Sequence, residues 1–250
     1  MIYEQPLNEQ IRLCLRLEYL FSQVDHYATG ESIWDSHQAL RIILEILQVI
    51  DRPDLKNKIC QTLNQYVQAL IKLENLQDID KEKLTSTLKE IESLIDHLHS
   101  SPKKIGQDLR ENEFLNAIQQ RLYTPAGTCF FSLPSYYLWL QQEKKIRHQQ
   151  LSDWLQPLTQ LQKIVAIILK IIRESSSFKT AQAIGGFYQN NLDSNIAYQM
   201  IRINSASNKL FPEISVGRYR LAIHFFTLDI TGRAAQSPHD VSFEIACCKM

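Results

Sequence analysis

Gly217-Arg-Tyr-Arg-Leu-Ala-Ile-His-Phe-Phe226 is the stretch whose reading decides the fold. Successive side chains of a strand point to opposite faces, so Tyr219, Leu221, Ile223 and Phe225 fall on one face and Arg218, Arg220 and His224 on the other. The alternation predicts a half-buried antiparallel strand with its apolar set against a sheet core. Two readings fit the charged face: an ordinary solvated surface, or one whose guanidinium forks receive the carboxylates of a ligand.

Outward from this strand, most of the chain is helical. Asn8 is placed to cap a helix carrying Ile11, Cys14, Leu15, Tyr19 and Leu20, with Arg12 and Arg16 one turn apart on another side. Glu9 is positioned to answer Arg12, whereas Arg16 has no local acid; the pair is either two surface arginines or a second piece of an anion site. Asp35 or Ser36 caps a helix with the stripe Leu40, Ile43, Leu44, Leu47 and Ile50, which Asp51-Arg-Pro-Asp54 ends. Two more helices, through Leu55–Leu73 and Leu84–Leu98, carry coiled-coil-like seams and are separated only by Asn75–Asp80, which predicts an antiparallel hairpin. A partner helix is the alternative occupant of that seam.

A helix through Leu115, Ile118 and Leu122 stops at Thr124-Pro-Ala-Gly127, Cys129–Leu133 reads as a short strand, and an aromatic helix with Tyr137 and Trp139 follows Pro134. Ile164–Ile172 is apolar nearly all round, as in a buried central helix, and Lys163, Lys170 and Arg173 keep its uninterrupted run below the ~20 residues of a membrane span. Beyond Ser177 the pattern becomes strand-like: Phe178–Tyr188 with a bend or close approach at Gly185-Gly186, turn chemistry at Gln189–Asp193, and strands at Ile196–Asn204 and Val241–Ile245. Pairing of Ile196–Asn204 with the opening strand, across a loop at Ser205–Pro212, would bring Arg202 beside Arg218 and Arg220.

The expected class is α+β: a mainly helical domain (6–124 and 134–174) with an antiparallel hairpin and a long buried helix, and a smaller, largely antiparallel β domain formed discontinuously from 1–5, 125–133 and 175–250. The 250 residues carry 27 Lys plus Arg against 27 Asp plus Glu, so no global field draws nucleic acid or membrane, and any electrostatic site arises from local segregation. Five cysteines, none in a C-x-x-C pair, suit a reducing compartment, and the opening residues lack the pattern of a signal peptide. The expected location is the cytoplasm. There is no P-loop, dinucleotide fingerprint, nucleophile elbow or zinc-protease motif, and His97-x-His99 lacks companion ligands; no cofactor or metal is expected. An enzyme or small-anion-binding protein using the basic face remains the alternative, and would need a pocket joining His224 to a cysteine or carboxylate.

The ordered features resemble the ZapD family of bacterial cell-division proteins almost end to end. The resemblance rests on Pro6-Leu7-Asn8-Glu9 with Arg12, Arg16 and Glu18; Ile105-Gly106-Gln107 with Leu109-Arg110-Glu111; Gln120-Arg121-Leu122; Leu133-Pro134 with Trp139-Leu140; Gly186-Phe187-Tyr188-Gln189; and Phe243-Glu244 with Ala246-Cys247-Cys248. It implies a non-enzymatic cytosolic homodimer at the mid-cell division site that binds the C-terminal tail of the tubulin-like protein FtsZ and cross-links its protofilaments. It matches family positions at Arg218, Arg220, His224 and Arg16; Arg202 and Phe226 join them as neighbours, with Arg12, Arg110 and Arg121 as further candidates. Glu113 and Tyr137 depart from the basic or imidazole side chains expected at their positions.

Overall fold

In the computed structural model, which describes residues 1–73 and 80–249, the chain opens on a strand, β1 (Ile2–Pro6), and passes directly into α1 (Glu9–Ala28). Asn8 starts that helix: its Oδ1 accepts from the Ile11 N–H at 2.9 Å and its Nδ2 donates to Gln199 Oε1 at 2.7 Å. The side chain thereby satisfies a first-turn donor that has no partner inside the helix. α2 (Ile33–Val49) is capped by Ser32 rather than by Asp35 or Ser36. Ser32 Oγ accepts from Asp35 N–H while the Asp35 carboxylate accepts from Ser32 N–H, so Asp35 serves as the third helical residue of a capping box.

Leu40, Ile43, Leu44, Leu47 and Ile50 are all buried, as their spacing predicts. α3 (Leu55–Leu73) and α4 (Lys81–Ser100) pack together with Leu63 and Ile91 fully buried. Residues 75–79 of the expected turn lie outside the described residues; Asp80 caps α4 by accepting from Lys83 N–H.

α5 (Gln107–Arg110), α6 (Glu113–Arg121) and α7 (Pro134–Leu140) follow. The strand expected at Cys129–Leu133 is absent. Those residues form turns, with Cys129 N–H donating to Ala126 O and Leu133 N–H to Cys129 O, both at 3.1 Å. Ala126 at φ 53° coils the chain before the segment, and Leu133 is already the entry residue of α7, with Pro134 preset for the first helical position. Extended pairing has no room there, and Phe130 and Phe131 stay exposed.

α8 (Lys144–Leu155), a 3-10 turn at Gln156–Leu158 and α9 (Thr159–Glu174) complete the helical run. Lys144–Glu174 is the one stretch among the described residues long and apolar enough to cross a membrane, and half of its apolar window is buried. Ile164, Val165, Ile167, Ile168, Leu169 and Ile172 are inside while Lys163 and Lys170 are exposed, which is the pattern of a core helix.

The remaining strands are β2 (Lys179–Ala183), β3 (Phe187–Asn191), β4 (Tyr198–Asn204), β5 (Leu210–Val216), β6 (Arg220–Thr227) and β7 (Val241–Lys249). They build two antiparallel sheets, ordered β1-β4-β7-β2 and β3-β6-β5. The chain is α+β, as expected, with three differences among the strands. β4 pairs with β1 and β7, not with the strand through Gly217–Phe226. β5 occupies part of what reads as a loop, because Pro212 disguises a strand yet is tolerated at a sheet edge. β3 runs through Gln189–Asn191, and the turn falls at Asp193, whose Oδ1 accepts from Asn195 N–H.

Packing divides the chain into two compact units, Met1–Arg12 with Leu169–Met250, and Leu13–Ile168. In the first, Ile201, Ile203, Phe243 and Ile245 of the larger sheet meet Leu221, Ile223 and Phe225 of the smaller. The larger sheet's other face is also covered: Met200, Ala246 and Cys248 are buried, and Arg202 donates there to Glu4 Oε1 at 2.9 Å and to the Arg173 carbonyl at 3.2 Å. Among the described residues, the outer side of β3-β6-β5 is left bare. In the second unit, Arg147 is 5 % exposed and donates to Ser36 Oγ at 3.0 Å and to the carbonyls of Leu140 and Gln142. That buried cation is thus hydrogen-bonded by neutral oxygens, which lowers the cost of removing it from water.

Candidate functional site

β6 alternates as its sequence predicts. Leu221, Ile223 and Phe225 are fully buried, and Arg220, Ala222, His224 and Phe226 lie on the bare side. Directly opposed residues of antiparallel strands share a face, so the register assembles the rest of the surface. Asn191 lies opposite Arg220, Gln189 opposite Ala222 and Phe187 opposite His224 on β3; Ser215, Glu213 and Phe211 lie opposite Ala222, His224 and Phe226 on β5. With its amide oriented to suit its neighbours, Gln189 accepts through its oxygen from Arg220 Nε at 3.3 Å and Nη2 at 3.2 Å. The guanidinium is thus steadied by a neutral amide.

The hairpin between β2 and β3 sets one end of this surface. Ile184 and Phe187 exchange backbone hydrogen bonds around Gly185-Gly186, whose φ angles of 53° and 73° make the two-residue turn that twists with its strands. A Cβ on Gly186 would also meet the Ser237 carbonyl at 2.5 Å, so the expected close approach and the expected bend both occur here. The segment Ala235–Ser237 continues the β3 lane along β6, with Ser237 N–H donating to Phe225 O and Thr227 N–H to Ala235 O. That lane brings Gln236 to the face. Its Nε2 donates to the Gly185 carbonyl at 2.9 Å, and its Oε1 lies 3.1 Å from His224 Nδ1.

The residues singled out in the sequence fall in different places. Arg220, His224 and Phe226 share the bare face. Arg218 and Tyr219 are not on the strand: Gly217 N–H bonds to Arg220 O, placing both in the β5–β6 turn, where the Arg218 guanidinium sits 5.2 Å from the Tyr219 ring centroid. Tyr219 is 56 % exposed and so is no part of the buried row. Arg202 does not join them; it belongs to the other sheet, ion-paired with Glu4 and stacked over Phe178 at 5.0 Å. Arg12 is ion-paired with Glu9 at 2.8 Å, as expected.

In the second unit, Arg16 is exposed on α1 and Arg121 is exposed at the end of α6. Arg110 is committed to structure, donating to the carbonyls of Ile105 at 2.8 Å and Leu47 at 3.2 Å. Glu113 opens α6, where a negative charge suits the helix start. Tyr137 is 48 % exposed and edges against Phe130. Burial pushes the thiols of Cys247 and Cys248 up, which disfavours reactive thiolate.

Periodicity along one strand did not identify Phe187, Gln189, Phe211, Glu213 or Gln236 as members of the face. Their membership follows from pairing register, and the only local signal was Gly185-Gly186 ahead of Phe187.

A family model described as ZapD, cell division protein, matches residues 15–224. The cell division protein ZapD of Coxiella burnetii strain RSA 331 is 42 % identical over 251 residues, spanning 99 % of this chain and 97 % of its own. That of Azoarcus sp. strain BH72 is 38 % identical over 249 residues, spanning 99 % of both chains. That of Methylococcus capsulatus is 33 % identical over 249 residues, spanning 99 % of this chain and 98 % of its own.

Proposed function

The chain belongs to the ZapD family of cell division proteins, and on that premise we propose that the outer face of β3-β6-β5 captures the C-terminal tail of FtsZ. The observation that carries this reading is a bare sheet face with Arg220 on it and Arg218 at its rim, in a unit whose other sheet faces are packed. Guanidinium groups orient a carboxylate-bearing peptide, and the aromatic side chains beside them supply contact area. Arg16, exposed on its helix, is a further proposed cationic contact.

A homodimer holding two tails would cross-link FtsZ protofilaments into bundles at the mid-cell division site. Each contact can be modest, because once one tail is held the second is presented at high effective concentration. The protein acts by binding and needs no catalytic group or cofactor; nucleotide hydrolysis belongs to FtsZ.

Co-sedimentation with FtsZ polymers tests the reading. The doubly charge-reversed protein, Arg218→Glu with Arg220→Glu, should stay in the supernatant while its circular dichroism and its sedimentation as a dimer match wild type. Unchanged pelleting of the variant would remove the tail from this face, and failure of the wild-type protein to pellet would remove FtsZ as the partner.

A further inference from the structure

The bare face is chemically polarised along β6. At the Arg220 end its neighbours are polar, Asn191 and Gln189, with Arg218 in the adjoining turn. At the other end four rings form a band across all three strands. Phe211 stacks on Phe226 at 5.9 Å, Phe226 lies 6.3 Å from the His224 ring, and His224 lies 4.7 Å from Phe187. Ile184, paired with Phe187 in the hairpin and 65 % exposed, extends the apolar end. At the inner row of the band stands one carboxylate, Glu213, exposed and directly across from His224.

We propose that this face takes an extended peptide lying along β6, with a carboxylate held at Arg218 and Arg220 and an apolar side chain seated on the ring band. The two are separated by about four to six residues, and Glu213 excludes acids from the near side of the band. This rests on the tail-capture reading and adds to it the chemistry and spacing of the segment captured.

The spacing comes from strand geometry. At about 3.3 Å per residue, β6 advances about 13 Å from Arg220 to His224 and about 20 Å to Phe226, and an extended ligand covers the same distances in about as many residues. The guanidinium end alone would accept any acidic peptide, and the ring band alone any apolar one. A requirement for both at a set separation, with a like charge set against acids beside the band, turns two permissive contacts into a selective one.

The test titrates the full-length protein with three fluorescent Ser/Thr/Gln peptides, followed by anisotropy. One carries an Asp pair and a Phe-Leu pair about six residues apart; the second shortens that spacing to about two; the third keeps the long spacing with Glu two residues ahead of the Phe-Leu pair. The first should bind about tenfold more tightly than either other peptide, a difference of about 1.4 kcal/mol. Phe226→Ala should reduce the first to the level of the second, and Glu213→Gln should raise the third toward the first. Phe187→Ala serves in place of Phe226→Ala should the latter not fold. Equal binding of the first two peptides, or no binding of any, overturns the proposal. An FtsZ tail peptide measured alongside separates the two readings. Tail binding that survives both phenylalanine variants defeats the spacing and leaves the partner, whereas spacing selectivity without tail binding defeats the partner alone.

Discussion

The imidazole of His224 lies 4.7 Å from the ring of Phe187 across the β3–β6 pair. Its hydrogen-bonding side-chain neighbour is Gln236, whose amide is oriented by the Gly185 carbonyl. Because Gln236 Nε2 is spent on that carbonyl, the atom facing His224 Nδ1 is an acceptor, and the single proton of the neutral ring belongs on Nδ1. Nε2 is then the nitrogen left to accept from a ligand.

Replacing Gln236 by Ala should move the neutral ring toward the Nε2–H form. Two-bond proton–nitrogen correlations of the imidazole report which nitrogen is protonated. A wild-type ring already in the Nε2–H form would contradict the assignment made from the Gln236 amide.

Arg218 and Arg220 are exposed, so each contact they make is worth about 1 kcal/mol or less and is screened by salt. Arg220→Glu alone should weaken tail binding about tenfold, adding repulsion to the lost attraction. Raising the salt from about 0.05 to about 0.5 M should weaken wild type markedly and bring it toward the variant. A binding constant flat across that range would assign the affinity to the aromatic end.

Gly185 and Gly186 share a turn but not a tolerance. Gly185→Asn should cost less than about 1 kcal/mol, since Asn accepts positive φ and a Cβ there meets nothing closer than the Pro238 carbonyl at 4.0 Å. Gly186→Ala should cost about 2 kcal/mol or more, because φ 73° is strained for alanine and the Ser237 carbonyl stands in its way. Urea denaturation of the two variants measures the difference.

Glu4 gives the β unit an acid-sensitive tie. Burial pushes its carboxyl up, but the hydrogen bond and charge of Arg173 and those of Arg202 outweigh burial and hold it below the ordinary 4.5. A carboxyl depressed on folding contributes stability that is complete above the unfolded value and is lost as pH falls through the folded one. Wild type should therefore weaken below about pH 4.5, and Glu4→Gln should lack that component of the slope. At pH 7 the variant should be less stable by about 3 kcal/mol, since it removes the carboxylate that the partly buried Arg173 and Arg202 share. Parallel acid slopes for the two proteins would remove Glu4 from the account.

What was legible in the sequence was whatever depends on near neighbours along the chain. The stripes of α2, α3 and α4, the cap at Asn8 and the inward row Leu221, Ile223 and Phe225 follow from period and capping chemistry. What was hidden depends on distant pairing. Arg202 has the alternation of a face residue, yet its neighbour is Glu4 from the opposite end of the chain. Arg218 continues the alternation of β6 on paper, but the bond from Gly217 to Arg220 turns the chain before the strand begins. Pro212 masked β5, and with it Phe211 and Glu213, half of what flanks His224. Cys129–Leu133 has strand composition but is held between a coiled approach and a proline-led helix.

The pairing of β1 with β4 also sets an order of events during synthesis. Ile2–Pro6 leaves the ribosome ahead of its partner, Tyr198–Asn204, which emerges on the order of ten seconds or more later at ordinary elongation rates. Leu13–Ile168 is complete well before then and can condense while the first strand waits. The β3-β6-β5 surface is assembled later still, because β5, β6 and Gln236 all follow β4 in the chain.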